Sequence, residues 1–78
     1  MSLSRGEALT AAKKLLRTFD SAPDPQGRAR QIYSELCRAE GMTNGEHNAV
    51  EAFGAWLDER PRPSELKPRC QGLLLRLK

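Results

Sequence analysis

The segment from Thr43 to Pro63 constrains the fold most, because the sequence marks both of its ends. Thr43 followed by Glu46 is a capping box, in which the hydroxyl accepts a first-turn amide and the carboxylate reaches back to the cap. The run Arg60-Pro61-Arg62-Pro63 closes the segment, since each proline lacks an amide donor and disfavours helical geometry in the residue before it. The pattern predicts a helix over 44–58.

This third helix carries the bulkiest apolar surface of the chain. Read at helical spacing, His47, Glu51 and Asp58 share the polar face, and the opposite face collects five apolar side chains: Ala49, Ala52, Phe53, Trp56 and Leu57. Aromatic residues one turn apart are typical of packing, so we interpret Phe53 and Trp56 as core and not as a ligand site.

Three further amphipathic segments surround this one. Ser4 and Glu7 form a second capping box, and Asp24 precedes a proline that suits the first position of a helix. We expect Gly41 to stop the second helix and Pro68 to begin the last helix proper. The prediction is a single all-α domain over residues 1–78, a compact bundle of three to four short helices at about 4–19, 25–40, 44–58 and 66–77.

The final segment also reads as an edge strand, but no other segment offers a β partner, so a helix is expected. Its predicted apolar face comprises Leu66, Cys70, Leu73, Leu74 and Leu77. Leu75 projects away from that face, so we expect it to meet water in a monomer or to fill a contact in a complex or homodimer.

Charge is segregated along the chain. Residues 1–39 carry seven basic and four acidic side chains, and residues 40–59 carry five acidic side chains and no Lys or Arg. Residues 60–78 carry six basic side chains against Glu65. One interpretation is internal pairing, with an acidic helix between basic neighbours; the other is that the basic C-terminal segment meets an anionic partner.

Catalytic motifs are absent from the sequence. It contains no nucleophile paired with a base, no carboxylate pair in an apolar setting and no glycine-rich phosphate loop, so we predict a protein that is not an enzyme and takes no cofactor. Cys37, Cys70 and His47 are too scattered for a zinc site, and both cysteines are expected to be buried free thiols. Without a membrane-length apolar run or a secretory signal, we expect a cytoplasmic protein with no membrane partner.

Two functions remain open. The preferred one is a small protein-binding module that acts as an adaptor, inhibitor or regulator, with partner contacts from Arg60, Arg62, Arg69, Leu75 and Arg76. The alternative is a small basic DNA-binding protein or transcriptional regulator that uses Arg28, Gln31 and Arg38 of the second helix, with Lys13, Lys14 and Arg17 of the first. A compact, arginine-rich chain also fits the general character of proteins encoded by phages or other bacterial mobile elements.

Overall fold

The computed structural model describes residues 3–77, and these form the expected all-α bundle. Its four helices are α1 (Arg5–Arg17), α2 (Pro25–Cys37), α3 (Asn44–Asp58) and α4 (Pro63–Leu77). A 3-10 turn, Phe19–Ser21, follows α1. The predicted bounds of α3 are confirmed, and the other three helices begin or end up to three residues from their predicted positions.

Both predicted capping boxes are present. The Ser4 hydroxyl accepts from the Glu7 amide at 3.2 Å, and the Thr43 hydroxyl accepts from the Glu46 amide at 3.2 Å. In return, each glutamate accepts from the amide of its cap residue. These contacts satisfy amides that have no partner inside their helix, which is why α1 and α3 start where the sequence indicates.

Helix α2 ends earlier than predicted because the chain becomes extended after Arg38. Residues Ala39–Glu40 form a short strand, β2, that pairs in parallel with β1, Leu3–Ser4. The Leu3 amide also donates to the Arg38 carbonyl at 2.8 Å. This pairing does not involve the final segment, which is helical as expected. Gly41, with a φ of 88°, lies in the turn that leads to α3 and not at the end of α2.

Helix α4 begins before its predicted start. Pro63 is its first residue, and the Glu65 carboxylate accepts from the Arg62 amide at 3.2 Å, which supports the opening turn. Pro68 lies inside the helix and does not begin it. Asp24 precedes α2 as expected, but its side chain makes no capping hydrogen bond, so α2 relies on Pro25 at its first turn.

The core lies where all four helices meet. Its fifteen apolar residues are Ala8, Leu9, Ala12, Phe19, Ala29, Ile32, Leu36, Val50, Phe53, Leu57, Leu66, Cys70, Leu73, Leu74 and Leu77. The predicted apolar face of α4 is confirmed in full. Cys70 is a buried thiol as expected, and burial raises its pKa to about 11. Cys37 is exposed, so its predicted burial was wrong; it lies at the last turn of α2, beyond the buried stripe.

Helix α3 is rotated relative to the predicted face. Val50 and Gly54 are buried, Ala52 is exposed, and Ala49 and Trp56 are only partly buried. The rotation follows from Gly54, where a Cβ would lie 2.4 Å from the Tyr33 ring of α2. Because glycine has no Cβ, the Val50–Gly54 edge of α3 can pack closely against α2. The Ala49–Ala52 edge of α3 then faces α4.

Candidate functional site

One surface feature of the described residues is an open cleft of about 280 Å³ between α3 and α4. Phe53 and Leu73 contribute its buried, apolar floor. Ala49 and Ala52 line it from α3, and Gly72 lines it from α4. A Cβ at Gly72 would meet nothing within 4 Å, so the cleft exists because both helices present small residues where they face each other.

Two arginines flank this cleft on the α4 side. Arg69 and Arg76 both line it, and since they are seven residues apart, two helical turns separate them by about 10.5 Å along the axis. The Arg69 guanidinium lies over the Trp56 ring, 4.9 Å from the ring centroid. This cation–π contact orients Arg69 and covers part of the indole.

Leu75, one residue before Arg76, lies outside the lining of the cleft, on the side of α4 that borders α1. It is 68% exposed and is the one large apolar side chain exposed among residues 3–77. A shallow depression joins it to Leu16 and Lys13 of α1. Its predicted exposure is confirmed, and we call Pro68, Arg69, Gly72, Leu75 and Arg76 together the α4 face.

The other two predicted contact residues lie in the linker before α4. Arg60 and Arg62 are exposed, and Arg60 has a φ of 55°, a left-handed conformation that is uncommon outside glycine. Gln26 of α2 donates to the Pro61 carbonyl at 2.8 Å, which holds the linker against the bundle. Of the five predicted residues, the structure gathers Arg69, Leu75 and Arg76 on one helix and places Arg60 and Arg62 beyond its N-terminal end.

The α4 face carries two basic side chains, Arg69 and Arg76, and Glu65 lies one helical turn before Arg69 on the same helix. No carboxylate of residues 3–77 lies within 4.0 Å of the charged nitrogens of Arg60, Arg62, Arg69 or Arg76. The expected internal pairing does occur on the opposite sides of α3: Arg5 of α1 binds Glu46, with its Nε 3.1 Å from Oε2, and Arg30 of α2 pairs with Asp58. Two acidic side chains of α3 are thus paired with α1 and α2. On α4, Lys67 pairs with Asp20 at 2.7 Å, whereas Arg69 and Arg76 have no carboxylate partner among residues 3–77.

The residues predicted for nucleic-acid contact do not form one surface. Arg28 donates to the Leu15 carbonyl at 2.9 Å and to the Thr18 hydroxyl, which caps the end of α1. Arg38 pairs with Glu35 at 3.6 Å and, with Lys14, borders a concavity beside β1. Gln31 lines a separate depression near Leu15. Lys13 lies next to Leu75, and Arg17 is exposed at the end of α1.

Sequence reasoning missed the cleft itself. Ala49, Ala52 and Phe53 were assigned to a single buried stripe, and Gly72 was given no role. The available signal was a glycine in the middle of an amphipathic helix, where it neither caps nor turns the chain and costs about 1 kcal/mol relative to alanine.

Among residues 3–77, no three His, Cys, Asp or Glu side chains lie close enough together to hold a metal ion. Within the same range, no helix is both long and apolar enough to cross a membrane. The chain matches no protein-family model, no curated protein and no solved structure.

Proposed function

We propose that this protein is a small, non-enzymatic docking module that binds an acidic partner protein through its α4 face and acts as an adaptor, inhibitor or regulator. The observation that carries the proposal is Leu75, which is 68% exposed on a helix whose Arg69 and Arg76 have no carboxylate partner among residues 3–77. A leucine that gives up this exposure on binding contributes about 1.5–3 kcal/mol.

The surroundings of Leu75 support a macromolecular partner over a small molecule. The depression at Leu75, about 360 Å³, and the α3–α4 cleft, about 280 Å³, are both open, and both lie near the lower end of the usual range of about 300–1,000 Å³ for small-molecule sites. Arginine beside an aromatic ring is typical of the residues that dominate protein interfaces, and Arg69 lies over Trp56 in this arrangement. Unpaired Arg69 and Arg76 favour an acidic partner, since complementary charge speeds encounter and selects among partners.

Nucleic-acid binding is the less favoured function. It draws on α2, where Arg28 and Arg30 already donate to groups within the fold. The proposed setting is the cytoplasm, because both cysteines are free thiols, as is usual in a reducing compartment.

The test is affinity capture from a lysate of the source organism, with and without nuclease, using wild-type protein and two variants. Leu75→Asp places a charge at the centre of the α4 face, and Ala55→Asp makes the same charge change at an exposed position on α3. Neither side chain belongs to the core, so both variants are expected to melt within a few degrees of wild type.

We expect a near-stoichiometric protein that survives nuclease, is retained by Ala55→Asp and is lost with Leu75→Asp. Capture that vanishes with nuclease would overturn the proposal in favour of nucleic-acid binding. Sedimentation equilibrium provides a second check: a wild-type dimer that Leu75→Asp dissolves would mean that the α4 face binds a second copy and not a different protein.

A further inference from the structure

The cleft between α3 and α4 has the shape to accept an apolar side chain from outside. Its floor is formed by Phe53 and Leu73, which are 2% and 8% exposed. Access is open because Gly72 leaves space above Leu73, where a Cβ would meet no atom within 4 Å. A side chain that enters there lies between α3 and α4, against Phe53 and Leu73 and beside the two arginines.

The two arginines give the cleft a defined length. Arg69 and Arg76 project from the same side of α4 about 10.5 Å apart along its axis, and neither has a carboxylate partner among residues 3–77. Arg69 is held by its contact with Trp56 at one end. A ligand that runs along α4 and meets both arginines at the spacing of their backbone positions carries two carboxylates about that far apart.

An α-helix meets this requirement and an extended strand does not. On a helix, residues i and i+7 lie on one face and rise by the same ~10.5 Å, and residues i+3 and i+4 lie between them on that face. In a strand, a rise of ~10 Å separates i from i+3, whose side chains point to opposite faces. A strand thus cannot present both carboxylates and an intervening apolar side chain to one groove.

We infer that the cleft accepts an acidic amphipathic α-helix of the partner, which lies along α4 and places carboxylates seven residues apart on Arg69 and Arg76. An apolar side chain between these carboxylates rests on Phe53 and Leu73. This inference rests on the proposed docking function and specifies the form of the segment that is recognised. It is an example of the helix-in-groove mode of recognition.

The experiment begins with a displayed library of helix-forming peptides, selected on the wild-type protein. Enriched sequences are synthesised, and their binding is followed by the fluorescence of Trp56, the only tryptophan of the chain, which lies beside the cleft. The protein variants are Arg76→Glu, Gly72→Leu and, as a matched charge reversal on an exposed part of α1, Lys14→Glu. Gly72→Leu places a large side chain in the cleft at a position where a Cβ meets no neighbour within 4 Å.

We expect enriched peptides with acidic residues seven apart and an apolar residue between them. Their affinity should fall roughly tenfold or more with Arg76→Glu and with Gly72→Leu, and stay within about twofold with Lys14→Glu. Replacing the matching peptide glutamate by lysine should restore binding to Arg76→Glu, an effect that general destabilisation of the protein cannot produce.

Two results overturn this inference. If the selected peptides bind the Gly72→Leu variant as tightly as they bind the wild-type protein, the cleft is not the binding site. If the Leu75→Asp variant loses the same binding, the proposed docking function is still supported. The inference would also be rejected if the selection enriched no peptides with acidic residues seven apart and an apolar residue between them. If lysate capture still depended on Leu75, the docking function itself would be retained. Failure of the capture experiment itself would reject both.

Discussion

Helices α2 and α4 both pack against α3, but the α2–α3 contact is tightly packed at Gly54 and the α3–α4 contact leaves an open cleft. On the α2 side, the Tyr33 ring lies against the backbone at Gly54, and Arg28 and Arg30 each bind a group within the fold. On the α4 side, Gly72 faces open space, and Arg69 and Arg76 have no carboxylate of residues 3–77 beside them.

The difference shows that the same residue types serve opposite purposes in one small bundle. Glycine permits close packing at position 54 and leaves an opening at position 72. Arginine completes the hydrogen bonding of a helix end at Arg28 and presents an unpaired charge at Arg76. Both helices contribute to the core, and we interpret the α2 edge of α3 as closed packing and the α3–α4 cleft with its two arginines as surface left available for a partner.

The largest effect that tests this contrast is expected at Gly54. In Gly54→Ala, the new Cβ lies 2.4–2.7 Å from three atoms of Tyr33, so either the ring or α3 must move. Overpacking of this kind lowers the free energy of unfolding by about 1–3 kcal/mol, measured by urea denaturation. Gly72→Ala is the matched control and should raise that free energy by about 0.5–1 kcal/mol, since it gains helix propensity and meets no neighbour. Equal effects at the two positions would remove the distinction between the two sides.

A second, smaller effect is expected from the arginines. Arg28→Met keeps much of the aliphatic stem but removes the donors to the Leu15 carbonyl and the Thr18 hydroxyl, so the free energy of unfolding should fall by about 1–2 kcal/mol. Arg76→Met removes no described polar contact and should change it by less than about 0.5 kcal/mol. Thermal melts of both variants measure this difference. If Arg76→Met lowered the free energy of unfolding as much as Arg28→Met, the hypothesis that the α4 arginines serve to bind a partner would be contradicted.

The smallest effect concerns the N-terminal end of α3. Glu46 accepts hydrogen bonds from Arg5 and from the Thr43 amide, which lowers the pKa of its carboxyl from 4.5 to about 2. Because the folded-state pKa is the lower one, this contribution to stability is complete above pH 4.5 and is lost as the pH falls towards 2.

The urea midpoints of wild type and Glu46→Gln measure that contribution. Their difference should narrow between pH 4.5 and pH 2, and the effect is modest because both side chains are partly exposed to solvent. A difference that stays constant over this range would mean that the ionised Glu46 does not stabilise the fold.

Much of this fold follows from local sequence. The capping boxes at Ser4 and Thr43 fix two helix starts, and the spacing of five apolar residues fixes the buried face of α4. These predictions succeed because capping and amphipathic periodicity are decided within one or two helical turns. The exposure of Leu75 follows for the same reason, since it departs from that periodicity.

The predictions that failed concern features that depend on contacts between residues distant in sequence. The pairing of Leu3 with Ala39 shortens α2, and no local pattern indicates a two-residue parallel strand. The rotation of α3 towards Val50 depends on the Tyr33 ring at Gly54, which belongs to another helix. The cleft was missed for the same reason, because an open space between α3 and α4 is a property of neither helix alone.

The Arg5 side chain, which donates both to Glu46 and to the Leu77 carbonyl, brings residues 72 positions apart into direct contact. The two ends of the described residues thus lie within the reach of one side chain, and α1 packs against α4 as well as against α2. The order in which the helices follow one another in the sequence can therefore be changed without changing the way they pack. A circularly permuted chain that opens in the Arg60–Arg62 linker and bridges the original ends would preserve every helix and give the basic end of α4 a free terminus.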